Sequence, residues 1–419
     1  MSRAYHEAKG ELIWIIDCNV WVSRGVAGRM VDKLMGFASN GQRVMPYKLV
    51  HQLPLVVDGV GASVGEEARG VLTGGSAPDT KVATPWDNKP QRGWGGLLRT
   101  AGGRLEEQFI SCAHDKFYTA INTVAVAPCI VGKSNMFRRA HLDYLTTDSS
   151  NNYAPGIDYF SHNICEDHLI GDLLWRKNVP EQLRGEKMGN HKLLLGDTCI
   201  QPMARMSLYG YIDRRVRWLR VRKWTVTLAT FVEPGVESFL CCFYAAFALT
   251  HLPWFYTTFN LPTSLSAFFL YWALGIIAWA TLDFWTYNKL HSVASVELDE
   301  HTPSFARPPS MGSIRGRRRP FKEWAAAWLG REVLALPIWV YACLGGTTVQ
   351  WRSKRFWVGV DMMVHEIPDV QEPSTSKERT GLLSRNNSDE RILEGNGIMS
   401  GRSNGGLTNA NGNAKTRKS

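Results

Sequence analysis

Two adjacent carboxylates, Glu166 and Asp167, begin the stretch EDHLIGDLLWRKNVP (166–180). Apolar residues follow them at roughly helical spacing, which predicts that the pair lies in the first turn of a helix. One interpretation is structural, because acidic side chains at a helix N-terminus are mildly stabilising. The other is catalytic, because two neighbouring carboxylates repel, which raises the pKa of at least one and favours a general base.

A third acidic side chain, Asp17, ends the apolar stretch ELIWIID (11–17), which predicts a buried strand. In α/β proteins, ligands bind at the carboxyl ends of strands. Asp17 is therefore a candidate ligand for Mg²⁺ or Mn²⁺, ions that join one or two carboxylates to a substrate diphosphate. The alternative is an ordinary acidic residue in a turn.

A basic segment, DRRVRWLRVRKW (213–224), places Arg214, Arg217 and Trp218 on one face of a predicted helix. Such a face suits bidentate contacts between guanidinium groups and a diphosphate. A basic helix before a membrane span is also typical of an anchor at the membrane surface. We expect the anchoring role for the remaining basic residues of the segment: Arg215, Arg220, Arg222 and Lys223.

The elements around these residues predict an α/β region over 1–225, interrupted by a Gly- and Pro-rich loop at 73–104. Within that region, Gly132-Lys133-Ser134 is excluded as a phosphate-binding loop, since the motif requires glycine at position 127, where Ala127 stands. The eight cysteines form no C-x-x-C pair, which indicates free thiols in a reducing compartment. A net charge of +10 suits nucleic acid, an anionic membrane or a phosphorylated substrate.

The second half of the chain has the composition of a membrane protein. Residues 238–282 contain no Asp, Glu, Lys or Arg, over more than twice the roughly 20 residues that cross a bilayer. We predict a transmembrane hairpin over 226–285, and sixteen tryptophans fit a membrane interface. The following segments are a basic loop at 286–332, a third apolar segment at 333–351 that spans or re-enters, and a disordered tail at 360–419.

The order of these features resembles the membrane-bound inverting glycosyltransferases with a nucleotide-sugar fold, which include cellulose, chitin and hyaluronan synthases and ceramide glucosyltransferases. Individual segments are most similar to the ceramide glucosyltransferases, and the resemblance covers roughly residues 5–360, without 73–104 and the inserts near 148–160 and 300–318. The similar segments include EAKGELIWIIDCNVWV (7–22), VHQLPLVV (50–57), GKSNMFRRAHL (132–142), ICEDHLIGDLLWRK (164–177), RRVRW (214–218), FVEPGVESF (231–239) and WLGREVLALPIWVYACLGGTTVQWRSKRF (328–356).

The resemblance implies a role for each candidate residue. Asp167 is the expected catalytic base, beside Glu166, and Asp17 is the expected contact to metal and sugar nucleotide. Asp17 stands in Asp17-Cys18-Asn19, which departs from a D-x-D pair. The expected R-x-x-R-W signature consists of Arg214, Arg217 and Trp218. The expected histidine near the sugar nucleotide is His51.

The function implied is transfer of glucose from UDP-glucose to the primary hydroxyl of ceramide with inversion, with Mg²⁺ or Mn²⁺. The implied partners are UDP-glucose, ceramide and a lipid bilayer, with no nucleic acid. The implied location is the Golgi or ER membrane with a cytosolic active site. Two alternatives stay open: a processive polysaccharide synthase, and a catalytically inactive truncated membrane protein.

Two further expectations concern the ends of the chain. The family has an N-terminal anchor and a first nucleotide-binding half, and this chain starts just before the strand that ends at Asp17. We therefore expect a truncated chain that binds UDP-glucose weakly. A spanning third segment would put the tail in the lumen and make Asn386 a glycosylation acceptor, whereas Arg352, Lys354 and Arg355 favour a cytosolic end. The family resemblance slightly favours a third segment that spans the membrane.

Overall fold

The structure, a computed structural model, describes residues 1–59, 94–147, 153–204, 206–233, 237–309, 317–351 and 354–368. A four-stranded sheet organises the predicted α/β region, and its strands are β1 (Leu12–Ile16), β2 (Tyr47–Asp58), β3 (Ser134–Arg138) and β4 (Gly189–Met203). The strand order is β1-β3-β2-β4, with β2 and β4 parallel and β3 antiparallel to both of its neighbours. The α/β class is confirmed, and β1 is an edge strand.

Helices cover both faces of this sheet because residues of β2 alternate between two apolar clusters. Leu49 packs in the cluster that contains Ile170, whereas Val50 packs with Met30 on the opposite face. The helices of this region are α1 (Ser2–Glu7), α2 (Val26–Met35), α3 (Trp94–Gln108), α4 (Asp115–Val124), α5 (Arg139–Thr146), α6 (Glu166–Arg176), α7 (Pro180–Leu183) and α8 (Leu208–Arg222). A π-helical segment, Phe109–His114, joins α3 to α4.

The predicted loop at 73–104 extends too far, because α3 begins at Trp94. Its glycines allow close packing. A Cβ on Gly102 would lie 2.0 Å from the carbonyl oxygen of Ser207, and a Cβ on Gly103 would lie 2.7 Å from the carboxylate of Asp58. Gly102 and Gly103 thus belong to a helix packed tightly against neighbouring backbone and side chains, and the rest of the predicted loop, 73–93, lies outside the described residues.

The apolar half contains α9 (Thr227–Val232), α10 (Ser238–His251), α11 (Pro253–Phe259), α12 (Leu265–His291) and α13 (Phe321–Leu344). Within the described residues, α12 and α13 are long and apolar enough to cross a membrane. The pair α10 and α11 passes the same test together but is bent by 63°. The predicted hairpin at 226–285 therefore corresponds to α10–α12, preceded by the short helix α9, with α12 continuing to His291.

The third apolar segment has different bounds from those predicted. The helix starts at Phe321, inside the predicted basic loop at 286–332, and ends at Leu344. The last part of the predicted segment 333–351 is strand β5 (Thr348–Trp351), which begins a second sheet with β6 (Lys354–Val358) and β7 (Val364–Glu366). Gly345 and Gly346 separate the helix from the sheet, and the positive φ of Gly346 suits the turn.

Both ends of α13 contact the α/β region. Near its N-terminus, the Glu323 carboxylate accepts a hydrogen bond from Nε of Arg104 on α3 at 2.5 Å. At its C-terminus, Nζ of Lys223 donates to the carbonyl oxygen of Cys343 at 2.7 Å. Twenty-four helical residues cover about 36 Å. Helix α13 therefore runs along the α/β region and starts and ends beside it.

The second sheet also packs on the α/β region, so the predicted disordered tail starts too early at residue 360. The backbone N–H of Val364 donates to the carbonyl oxygen of His162 at 2.9 Å. Val349 and Val358 form a small apolar core with Val221 of α8. The rest of that tail, with the predicted acceptor Asn386, lies outside the described residues.

Candidate active site

One large cavity, with a volume of about 1310 Å³, lies between the start of α6, the β1 and β3 ends, and α8. It brings together six of the seven residues predicted from the sequence: Asp17, Glu166, Asp167, Arg214, Arg217 and Trp218. These residues come from three separate parts of the chain. The fold thus collects the acidic pair, the strand-end aspartate and the basic helix face into a single site.

Asp167 lies in the first turn of α6, as predicted. Its carboxylate accepts backbone N–H groups from Gly132 and His168, which favour the charged form. Burial outweighs them and raises the pKa of Asp167 above its ordinary value. The approach to Gly132 is close: a Cβ there would lie 3.0 Å from Oδ2 of Asp167. A carboxylate of raised pKa is thus held in position by backbone.

Glu166 shares the cavity wall with Asp167. Burial, followed by repulsion from the Asp167 carboxylate, raises the pKa of Glu166 to about 7. The helix-start interpretation and the catalytic one are therefore compatible, because the pair begins α6 and also faces the cavity. With a pKa of about 7, Glu166 is partly protonated near neutral pH.

The R-x-x-R-W residues lie on α8 and differ in their partners. Nε of Arg214 donates to Oε1 of the buried Glu106 on α3 at 2.8 Å, and its guanidinium lies 4.8 Å from the centre of the Trp218 ring. Arg217 is the cavity-lining arginine without a hydrogen-bond or ion-pair partner among the described residues. Burial, followed by repulsion from Arg214, lowers the pKa of Arg217. Arg217 is therefore the guanidinium available to an anionic ligand.

The other basic residues of α8 have structural contacts, which differs from the expected anchoring at the membrane surface. Arg215 and Arg222 both pair with Glu233. Arg220 donates to the carbonyl oxygens of Gly345 at 3.0 Å and Thr348 at 2.6 Å. Arg220 and Lys223 connect the C-terminal end of α8 to that of α13 by donating to carbonyl groups that a helix end leaves unpaired.

Asp17 follows β1 and lines the cavity, as the strand-end position predicts. Its Oδ2 accepts a hydrogen bond from Nζ of Lys133 at 2.5 Å. Among the described residues, no group of three or more His, Cys, Asp or Glu side chains is arranged to hold a metal ion. The side chains at Asp17 thus do not fit a metal held by the protein alone, and the metal requirement stays a prediction.

His51 does not line the cavity, in contrast to the expected position near the sugar nucleotide. It is fully buried in β2, where Nδ1 lies 2.6 Å from the hydroxyl of Tyr118. Burial, followed by repulsion from His191, lowers the pKa of His51. Tyr118 does line the cavity and stacks on His114. His51 therefore contacts the site only through the tyrosine.

Apolar side chains form much of the remaining cavity wall. Phe109 and Phe117 contribute from the π-helical segment and α4, and Val226, Ala229 and Val232 contribute from α9 and the residue before it. The same wall includes Phe356 from the second sheet. The cavity thus joins a charged region at α6 and α8 to an apolar region beside the membrane helices.

Sequence reasoning missed three residues that organise this site: Gly132, Lys133 and Glu106. Gly132 and Lys133 belong to the Gly-Lys-Ser pattern, which failed as a phosphate-loop motif but does lie in the cavity wall. Glu106 lies within α3, and its pairing with Arg214 depends on contact between two helices distant in sequence.

Comparison with known proteins agrees with this geometry. A sequence profile of glycosyl transferase family 21 matches residues 95–364, which is more than half of the chain. The chain belongs to glycosyl transferase family 21. The expected family resemblance, the enzyme class and the combination of an α/β region with membrane helices are thereby confirmed.

Several fungal relatives are similar over most of the chain. A ceramide glucosyltransferase from Pyricularia oryzae is 51% identical over 380 residues, covering 88% of this chain and 68% of the relative. One from Gibberella zeae is 44% identical over 400 residues, covering 92% of this chain and 72% of the relative. One from Komagataella phaffii is 30% identical over 405 residues, covering 88% of this chain and 68% of the relative.

Proposed function

We propose that this enzyme transfers glucose from UDP-glucose to the primary hydroxyl of ceramide with inversion, forming glucosylceramide. The observation that carries the proposal is the cavity itself, which joins Asp167 and Arg217 to an apolar wall beside membrane helices. The names of the fungal relatives support the sugar and the lipid.

Asp167 is the proposed base. Its carboxylate takes the proton of the acceptor hydroxyl as the oxygen attacks the anomeric carbon, and the bond from that carbon to UDP breaks on the opposite face. One displacement of this kind inverts the anomeric centre. The raised pKa of Asp167 makes it a stronger base than an exposed carboxylate.

Arg217 is the proposed contact for the leaving diphosphate. Arg214 is held by Glu106, and Arg215 and Arg222 are held by Glu233, whereas Arg217 faces the cavity with its donors available. A guanidinium makes two parallel hydrogen bonds to phosphate oxygens and stabilises the charge that develops on departure.

The apolar side of the cavity is the proposed entry for the lipid. Helix α9 lies between this wall and the membrane helices: Val226, Ala229 and Val232 line the cavity, while Leu228 is 80% exposed. The helix is tied to α13, because Nε1 of Trp339 donates to the carbonyl oxygen of Thr230 at 2.7 Å. A lipid chain in the bilayer could therefore remain in apolar surroundings while its hydroxyl reaches Asp167.

The proposed location is the Golgi or ER membrane, with the α/β region in the cytosol. All eight cysteines are free, which suits a reducing compartment, and UDP-sugars are made there. In this topology α13 lies along the cytosolic surface of the membrane, so that both of its ends are on the cytosolic side. A row of exposed apolar residues, at spacings of three and four, supports contact with lipid: Leu329, Val333, Leu336, Val340 and Leu344.

Reconstitution of the purified full chain in lipid nanodiscs tests the proposed function. We expect UDP-glucose and a fluorescent ceramide to give a monoglucosylated lipid, and NMR of the product to give a β-linkage. UDP-N-acetylglucosamine and UDP-galactose serve as donor controls. A polymeric sugar product would support the processive alternative, and an α-linked product would overturn the single-displacement mechanism.

A further inference from the structure

The contact between Asp17 and Lys133 is fixed by backbone as well as by side chains. The pairing of strands β1 and β3 ends with Ile16 opposite Ser134, and Asp17 and Lys133 are the residues that adjoin this last pair. The N–H of Asp17 donates to the carbonyl oxygen of Lys133 at 3.1 Å, while the side chains meet at 2.5 Å. This geometry differs from that of a mobile ion pair on the surface, which contributes little to the stability of the fold.

Lys133 also has an unusual environment for a lysine. Its overall exposure is 8%, whereas lysine is rarely buried without a partner. It lines the cavity directly after Gly132, the residue that contacts Asp167. The ammonium group is thus built into the wall between the strand-end aspartate and the proposed base.

We propose that Lys133 supplies the positive charge that a divalent cation would otherwise bring to Asp17 and the donor diphosphate. A resident metal at Asp17 is then unnecessary. The part that concerns the diphosphate rests on the proposed function, since it takes the donor to be a sugar nucleotide. Lysine is an established type of phosphate ligand because its ammonium acts as a compact point charge.

Electrostatics favours this arrangement over a metal at the same carboxylate. A divalent cation on Asp17 would lie within a few ångströms of the Lys133 ammonium, and the two positive charges would repel. Mg²⁺ is usually held by one or two carboxylates together with substrate phosphates. Removing the ammonium would leave Asp17 able to act as such a ligand.

The test replaces the ammonium by an apolar group of similar length, Lys133→Met. Lys192→Met is the matched control, because Lys192 lies exposed on β4. Lys133→Arg keeps the charge and checks whether the fold tolerates substitution, with thermal melting as the readout. Each full-length variant is titrated with Mn²⁺ by electron paramagnetic resonance, with and without UDP, and its glucosylceramide output is measured with and without EDTA.

We expect the wild type and Lys192→Met to bind Mn²⁺ weakly and to keep most of their activity in EDTA. Lys133→Met should bind Mn²⁺ at least about tenfold more tightly and should lose activity in EDTA that Mn²⁺ restores. Equal Mn²⁺ affinity of wild type and Lys133→Met overturns the proposal, as does a wild type that EDTA inactivates and Mn²⁺ rescues. The Mn²⁺ titration needs no turnover, so a failure of the proposed reaction would be recognised separately.

Discussion

Replacing Gly132 by alanine should disturb the proposed base without touching it chemically. The added Cβ would lie 3.0 Å from Oδ2, 3.2 Å from Cβ and 3.3 Å from Cγ of Asp167, so the side chain must move by a few tenths of an ångström. A misplacement of about 1 Å in a reacting group costs on the order of 100-fold in rate. We therefore expect kcat to fall about 3- to 10-fold, which corresponds to roughly 1 kcal/mol in the activation free energy.

The assay is steady-state formation of glucosylceramide, with UDP-glucose and ceramide varied in turn. The KM for UDP-glucose should change little, because Arg217 lies on another element, α8. Gly28→Ala is the matched control: a Cβ at Gly28 meets nothing within 4 Å, and alanine in helix α2 should stabilise the fold by about 1 kcal/mol. Wild-type kcat in a folded Gly132→Ala variant would refute the assignment of Asp167 as base.

Further expected outcomes concern the acidic pair, Arg217 and the tail. Asp167→Asn should lower product formation at least about 100-fold while membrane insertion, measured by flotation, is kept; near-normal output would show that another group is the base. Arg217→Lys should lower kcat/KM for UDP-glucose about tenfold, since lysine lacks the paired planar donors, and unchanged kinetics would limit Arg217 to a structural role. The pH–rate profile should rise between about pH 5 and 8 as the acidic pair ionises, and Glu166→Gln should shift this rise to lower pH, because the pKa of Glu166 is raised to about 7 and the substitution removes one of two repelling carboxyl groups. Stability should change in the opposite direction to the rate: the contribution of Glu166 to the free energy of unfolding is full below its unperturbed pKa of 4.5 and is lost as pH rises through about 7, which thermal melts at several pH values would detect. The tail should carry no glycan, so glycosidase should not alter mobility, and a shift that disappears in Asn386→Gln would contradict the return of α13 to the catalytic side.

Sequence patterns predicted most residues that line the cavity because the relevant signals are local. A strand that ends in Asp17, a helix that begins with Glu166 and Asp167, and a helical face with Arg217 each occupy a few consecutive residues. The structure places all of them at one cavity. His51 was misplaced because nothing local distinguishes a histidine that faces a ligand from one that faces a buried tyrosine.

Contacts between distant segments account for what the sequence could not predict. Gly102 and Gly103 suggested a loop, yet their lack of a side chain allows α3 to approach Ser207 and Asp58. The third apolar segment suggested a membrane span because length and composition are the only local criteria. Helix α13 does meet these criteria, and the contacts of Arg104 and Lys223, which are far away in the sequence, place both of its ends beside the α/β region.

The position of the second sheet has a consequence for how the protein is made. Phe356, His365 and Glu366 complete one side of the cavity, and they follow α10, α12 and α13 in the chain. A ribosome therefore delivers this wall only after the apolar helices have left the exit tunnel and reached the bilayer. The full cavity therefore includes residues that are synthesised only after α10, α12 and α13.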